Sequence, residues 1–302
     1  MTSPDTAPPV QDAVPPPPGR SSTARALTAL GVLLGAAVVV TGALFLADLT
    51  MSGTSTTHRS YDAVATVELV ADGDVTVTAA EGDVEVDAIA RSGLREPRYT
   101  ADEGADRLEI THRCDWSVFL PHCSGRLDVT LPAGTEVVVR TENGDVVASG
   151  VAGSVELVTS NGDVEVTDVA GVLSARSSNG EVTISDAGDD VDAWSSNGTI
   201  RIEHVDGTVT SETSNGSLVV ADVAGDASAR TSNGSVEVRG VAGDVVAVTS
   251  NGRVTVHGDG EPVALTIETS NGRETVDGPT DPGADRTVEI RSSNGAVAYL
   301  VP

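Results

Sequence analysis

The sequence predicts an all-β fold: a parallel β-solenoid (β-helix-like) of about 18-residue, two-strand coils, preceded by one transmembrane helix. Three observations predict it. Asn-Gly pairs open at Asn143, Asn161, Asn179, Asn197, Asn215, Asn233 and Asn251, each step being eighteen residues, and two looser steps of twenty and twenty-three reach Asn271 and Asn294. Apolar residues recur at fixed places within each period. A single uncharged run of twenty-two residues stands near the N-terminus.

Taken in order, residues 1–25 are rich in Pro, Ser, Thr and Asp, with four prolines from Pro15 to Pro18. They cannot bury enough apolar surface to fold and read as a disordered, Pro-rich cytoplasmic tail. Residues 26–48 read as the transmembrane helix. The run Ala26 to Ala47 carries no charge, and at ~1.5 Å per residue it reaches ~33 Å, against a hydrocarbon core of ~30 Å. Arg20 and Arg25 precede it and Asp48 follows. The positive-inside rule then gives a single-pass protein of the cell membrane, N-terminus cytoplasmic and C-terminal domain extracellular. A cleaved signal peptide has a shorter apolar core, ~7–15 residues, and a small-residue cleavage site that is not evident here. Residues 49–60, small and polar, read as a spacer.

From Tyr61 onward the pattern is β. Residues 61–140 alternate in runs such as VTVTA at Val75 and VEVDA at Val84, but irregularly. They are expected to form the N-terminal part or cap of the solenoid. Residues 141–302 are the regular repeat and its C-terminal cap. With Asn as position one, positions four, six, thirteen and fifteen are apolar or small and read as inward. Position seventeen is Ser or Thr and position eighteen Ser in six successive coils. Asn-Gly between strands also signals an antiparallel hairpin. Apolar residues at position nine (Val151, Val169, Val205, Val223, Val241) break the alternation that a hairpin strand would need. Each position resembles itself one repeat later, as stacked coils ~4.8 Å apart require. The asparagines are then a structural turn ladder, and the glycine after each is expected to supply backbone freedom.

Composition bounds the function. There are 45 acidic residues against 18 basic ones, no lysine, and a formal charge of −27. This acidity argues against nucleic acid or an anionic lipid surface as a partner, since both would be repelled. The lysine-free, Ala/Val/Asp-rich usage points to a high-GC bacterium. Aromatics are 2% of residues, which suits a thin core of Val and Ala.

Cys114 and Cys123, outside the membrane, are expected to form a disulfide. A zinc site with His112 and His122 is the alternative, without a standard spacing. Between the cysteines lie Trp116, Val118, Phe119 and Leu120, a cap for the solenoid or a contact patch. At position sixteen the column reads Val158, Arg176, Trp194, Glu212, Arg230, Val248. Trp194 beside Arg176 and Glu212 is a candidate surface contact, as are Trp116 and Phe119; the bland alternative is a tryptophan covered by an arginine. The acidic turns lack the G-G-x-G-x-D spacing of calcium β-rolls and read as solvated. No groove of paired carboxylates and no nucleophile motif stands out. His204 and His257 read as lone, solvent-facing residues. The reading is therefore of no enzyme: no catalytic residue, no metal and no cofactor.

The run LPAGTEVVVRTENGDV from Leu131, the serial SNG-x-V-x-V units and the N-terminal anchor resemble the bacterial "putative adhesin" β-strand-repeat family, a domain of unknown function. The resemblance covers about residues 61–302 and carries no catalytic motif. It implies a cell-envelope repeat protein. The expectation is a membrane-anchored, non-catalytic binding, adhesive or structural arm whose partner is cell-wall glycan or an envelope protein. An envelope-stress or signalling accessory is the first rival and a polysaccharide-active enzyme the second.

Overall fold

The computed structural model describes residues 22–50, 53–114 and 123–301. Most of the expected tail, and His122, Trp116 and Phe119, lie outside the described residues.

The helix α1 spans Ser22–Thr50. Its segment Ala26–Thr50 is long and apolar enough to cross a membrane, and its most apolar eighteen-residue window has no buried residue. The described residues of the stretch expected to be a spacer belong to regular elements. Leu49 and Thr50 complete α1, and strand β1, Gly53–Tyr61, follows. Sequence patterning misses β1 because GTSTTHRSY has no apolar face, and residues 53–60 are all exposed. Its strand character comes from pairing, antiparallel along its length with β4, from Gly53↔Ser92 to Tyr61↔Val84.

The remaining N-terminal strands are β2 Thr66–Ala71, β3 Val75–Ala80, β4 Val84–Ser92, β5 Arg98–Glu103, β6 Arg107–Arg113, β7 Cys123–Pro132, β8 Glu136–Arg140 and β9 Val146–Ser149. From there each coil gives one strand to each of two facing sheets. One sheet has thirteen strands and the other twelve among the described residues. The regular coils stack parallel and in register, so that Val164 pairs with Val182 and Leu173 with Val191. The inward columns meet between the sheets: Val182, Ile200 and Leu218 at position four and Leu173 and Val209 at position thirteen are fully buried. Each such side chain is worth about 1.5–3 kcal/mol relative to exposure, which is how a core nearly without aromatics is built.

Three features of the coil have local causes. At position eight the backbone is left-handed in six successive coils: Gly150, Asp168, Asp186, His204, Asp222 and Gly240 have φ between 54° and 72°. Glycine adopts that region freely, and Asp tolerates it. The twist re-aims position nine inward, so that Val169 and Val205 are 1% exposed, which explains the broken alternation. At position seventeen the hydroxyls are buried and bridge coils: Ser177 Oγ donates to the Gly162 carbonyl (2.9 Å) and accepts from Gly180 N–H (2.8 Å). The glycine after each Asn departs from expectation. Gly180, Gly198 and their equivalents are not left-handed. They are required by close approach, since a Cβ on Gly198 would lie 1.7 Å from the Gly180 carbonyl oxygen.

Coil order departs from sequence order at both ends. The β2–β3 coil sits against β8–β9, and the β6–β7 coil lies outside it. At the other end Thr287–Ser292 and Val297–Leu300 slot inside Ala264–Thr269 and Glu274–Val276. Composition explains the inversion. The inner coil supplies Val288, Ile290, Val297 and Tyr299, all buried. The outer one places Glu274 in register with Val297, where its exposed carboxylate accepts the Thr269 N–H at 3.1 Å. A carboxylate is tolerable only on the outermost coil. At the N-terminal end the two sheets finish in antiparallel strands, β4 and β1 in one and β5 in the other.

Candidate functional site

The column through Trp194 forms on the outer face of the twelve-stranded sheet. Arg176, Trp194 and Glu212 are consecutive partners on adjacent parallel strands, so their Cα atoms step by about 4.8 Å. Inward neighbours Ala175, Ala193 and Ser211 are buried. Trp194 is half-buried, while Arg176, Asp192, Thr210 and Glu212 around it are exposed. The Arg176 guanidinium donates to Asp192 Oδ2 at 2.9 Å. The cation–π contact found among the described residues lies elsewhere, with Arg59 4.9 Å from the Tyr99 ring centroid. The column thus combines a half-buried indole with charged and hydroxyl groups on the outer face of the sheet. Such a surface can stack a ring and hydrogen-bond its substituents.

A second polar cluster closes the N-terminal end. Cys114, just after β6, and Cys123, opening β7, are joined as a disulfide with Cα atoms 6.0 Å apart. The bridge therefore links the two sheets across one corner. Asp72, between β2 and β3, grips both stems: Oδ2 accepts the Cys114 N–H and Oδ1 the Gly125 N–H, each at 2.7 Å. With both sulfurs bonded to each other, neither is a zinc ligand. His112 is 2% exposed, and its Nδ1 lies 3.2 Å from the Arg126 carbonyl. Burial pulls its pKa below the ordinary histidine value, against that hydrogen bond and the Asp72 charge. Tyr99 packs edge-on to His112, and its hydroxyl meets that of Tyr61 at 2.7 Å. Burial, then that hydrogen bond, drives the Tyr99 pKa far up, so it stays a neutral phenol.

The asparagine ladder is continuous in space. Asn179 donates to Asn161 Oδ1 at 2.8 Å and accepts from Asn197 at 2.8 Å. Asn143, Asn215, Asn233, Asn251, Asn294 and Asn271 extend the same chain of amides. Each is spent on its neighbour, which makes the ladder scaffold.

Several turn acids also have structural work. Asp145 accepts the Asp163 N–H, Asp163 the Glu181 N–H and Asp190 the Thr208 N–H. His204 is not alone, as the sequence suggested. Its Nδ1 lies 3.6 Å from Asp186 Oδ1 and its Nε2 3.7 Å from Asp222 Oδ2. Sequence reading missed this trio and the role of Asp72. The shared Gly/Asp/His usage at position eight was a signal for the first, and no motif marks the second. Among the described residues no group of three or more His, Cys, Asp or Glu is placed to hold a metal.

The family model described as Toastrack DUF4097 matches residues 48–220. No curated protein matches the chain. Among solved structures the chain is similar to a "putative lipid binding protein" from Parabacteroides distasonis ATCC 8503, at 12% identity and a TM-score of 0.48, over 82% of this chain and 96% of that one. It is also similar to a "putative adhesin" from Bacteroides fragilis NCTC 9343, at 11% identity and a TM-score of 0.43, over 82% of this chain and 97% of that one.

Proposed function

This chain belongs to the Toastrack DUF4097 family, and from that premise we propose a non-catalytic binding role at the cell envelope. The solenoid is an arm held at the cell membrane by α1, with its N-terminus cytoplasmic and its flat faces turned to an extracytoplasmic partner. Supporting the anchor are the length and apolarity of Ala26–Thr50. Supporting the compartment are Arg20 and Arg25, before the uncharged run that begins at Ala26, and the Cys114–Cys123 bridge, since disulfides persist outside the cytoplasm. The observation that carries the binding role is Trp194, half-buried between the exposed Arg176 and Glu212 on the outer face of the twelve-stranded sheet. Cell-wall glycan is the partner it fits: the indole takes the apolar face of a sugar ring, and the flanking charged and hydroxyl groups take its hydroxyls. The test is pull-down of the full-length protein on purified cell-wall glycan. Trp194→Ala should reduce capture about tenfold or more, as loss of a hot-spot aromatic does. Equal capture by the variant sinks the glycan assignment.

A signalling accessory is the second reading, favoured by one contact. Asp48, at the end of α1, is fully buried and accepts the Leu94 N–H at 2.8 Å, so the helix end and the β domain are mechanically joined. Deleting residues 1–25 leaves a binding arm active and silences a signalling protein.

A further inference from the structure

We propose that Asn271–Gly272 is a site of spontaneous deamidation, where the folded chain converts asparagine to aspartate and isoaspartate, and that the change releases the outermost C-terminal coil. The chemistry needs only water. Gly272 N, losing its proton to solvent, attacks Cγ of Asn271. A bond from Gly272 N to Cγ forms, the Cγ–Nδ2 bond breaks, and ammonia leaves with a proton taken from water. Water then opens the five-membered imide, at Cγ to give aspartate or at the main-chain carbonyl to give isoaspartate. A glycine after the asparagine favours ring closure, because it has no side chain to shield its nitrogen and the widest range of backbone angles.

Nine Asn-Gly pairs share that sequence, and the structure separates them. Gly162, Gly180 and Gly198 are buried. Their N–H groups donate to the hydroxyls of Thr159, Ser177 and Ser195 at 3.2, 2.8 and 2.9 Å. The side chains of Asn161, Asn179, Asn197, Asn215, Asn233, Asn251 and Asn294 are bonded on both sides, each donating to one neighbour and accepting from the other. Asn143 ends the ladder, but Gly144 is buried between two coils. A Cβ on Gly144 would lie 2.0 Å from the Gly73 carbonyl, and one on Gly162 1.9 Å from the Gly144 oxygen. Asn271 is the other end, and there the next coil is missing on one side. It donates to Asn294, and among the described residues nothing donates to its Oδ1. Of the nine glycines only Gly272 is exposed. The strand that follows, Glu274–Val276, is exposed at all three positions, so this coil frays most easily. Isoaspartate would route the main chain through Cβ and Cγ, lengthening the corner by one carbon. Ala264–Thr269 and Glu274–Val276 could then no longer both keep register with Thr287–Ser292 and Val297–Leu300.

The test incubates the full-length chain in mildly alkaline buffer and maps its peptides over time by mass spectrometry, which reads the exchange of amide for carboxylate at each pair. A parallel sample in concentrated urea gives each pair's rate in the unfolded chain. Relative to those rates, Asn271 in the folded chain should convert about tenfold faster or more than any other pair, having one neighbour fewer and the least stable coil. Equal relative rates at the nine pairs, a faster inner pair, or no conversion at Asn271 each overturn the assignment. In the aged chain, hydrogen exchange across residues 264–276 should be about tenfold faster or more, with residues 287–300 unchanged. Asn271→Gln, whose longer side chain closes the ring poorly, should show neither change. A converted Asn271 with unaltered exchange refutes the release of the coil.

Discussion

The side-chain amide of Asn294 donates to Oδ1 of Asn251 at 3.0 Å, although the Asn-Gly pair at Asn271 lies between them in the chain. Asn271 in turn donates to Asn294 at 3.0 Å. The last coil in sequence is therefore an inner coil in space. The energetic consequence is testable. Ile290→Ala, at a fully buried site near the C-terminus, should cost about 2–5 kcal/mol. Ile267→Ala, on the partly exposed outermost coil, should cost less than half as much. Denaturant unfolding checks this, and sequence-order stacking would give the reverse ranking.

The corner is ranked by the same reasoning. Gly198→Ala must displace backbone, because its Cβ would lie 1.7 Å from the Gly180 oxygen; a loss of about 3 kcal/mol or more is expected. Ser195→Ala removes a buried hydroxyl that accepts the Gly198 N–H at 2.9 Å, for about 1–3 kcal/mol. Asn197→Ala breaks an exposed rung and should cost about 1 kcal/mol. Thermal unfolding of the three variants reads the order directly.

Much of this was legible in the sequence, and the limits are physical. The period names which positions stack, so the inward valines and the placing of Trp194 between Arg176 and Glu212 were readable. A period does not say which coil lies next to which. That depends on competition between coils, lost by the one carrying Glu274 at a core register. The corner glycines were read as conformational when their role is steric, because a short distance to a residue eighteen positions away leaves no local mark. Strand β1 was invisible because its two faces are both polar. Asp72 was missed because gripping two loop stems needs only one carboxylate and no motif.

The disulfide and Asp72 hold the same corner. Reducing the bridge, or Cys114→Ser with Cys123→Ser, should cost roughly 2–3 kcal/mol by loop-closure entropy. Asp72→Ala should add to the loss, leaving the Cys114 and Gly125 N–H groups without their acceptor. Limited proteolysis should cut first between residues 113 and 125, with the regular coils resistant.

Acid should loosen the same end first. Burial holds the His112 pKa below its unfolded value of about 6.5. Between the folded and unfolded values the unfolded chain binds more protons, so stability falls as pH drops below about 6.5. It is fully present above that. Protection of the β6 and β7 amides, their exchange rate taken relative to the intrinsic rate at each pH, should therefore fall from pH 7.5 to 5.5, and His112→Asn should flatten that dependence. Protection unaltered by pH in the parent chain would rule out a buried neutral imidazole.

The absence of lysine makes the placement of the arm directly measurable. One lysine is introduced at Val172→Lys, a site 49% exposed on a regular coil, or at Thr6→Lys in the N-terminal segment. Intact cells are then treated with a membrane-impermeant amine reagent. The expected result is labelling of the Val172→Lys chain in intact cells, at full length and in the membrane fraction, with Thr6→Lys labelled only after lysis. Protection of Val172→Lys until lysis, or its recovery as a shortened chain in the medium, would contradict a solenoid arm anchored outside the cytoplasm by α1.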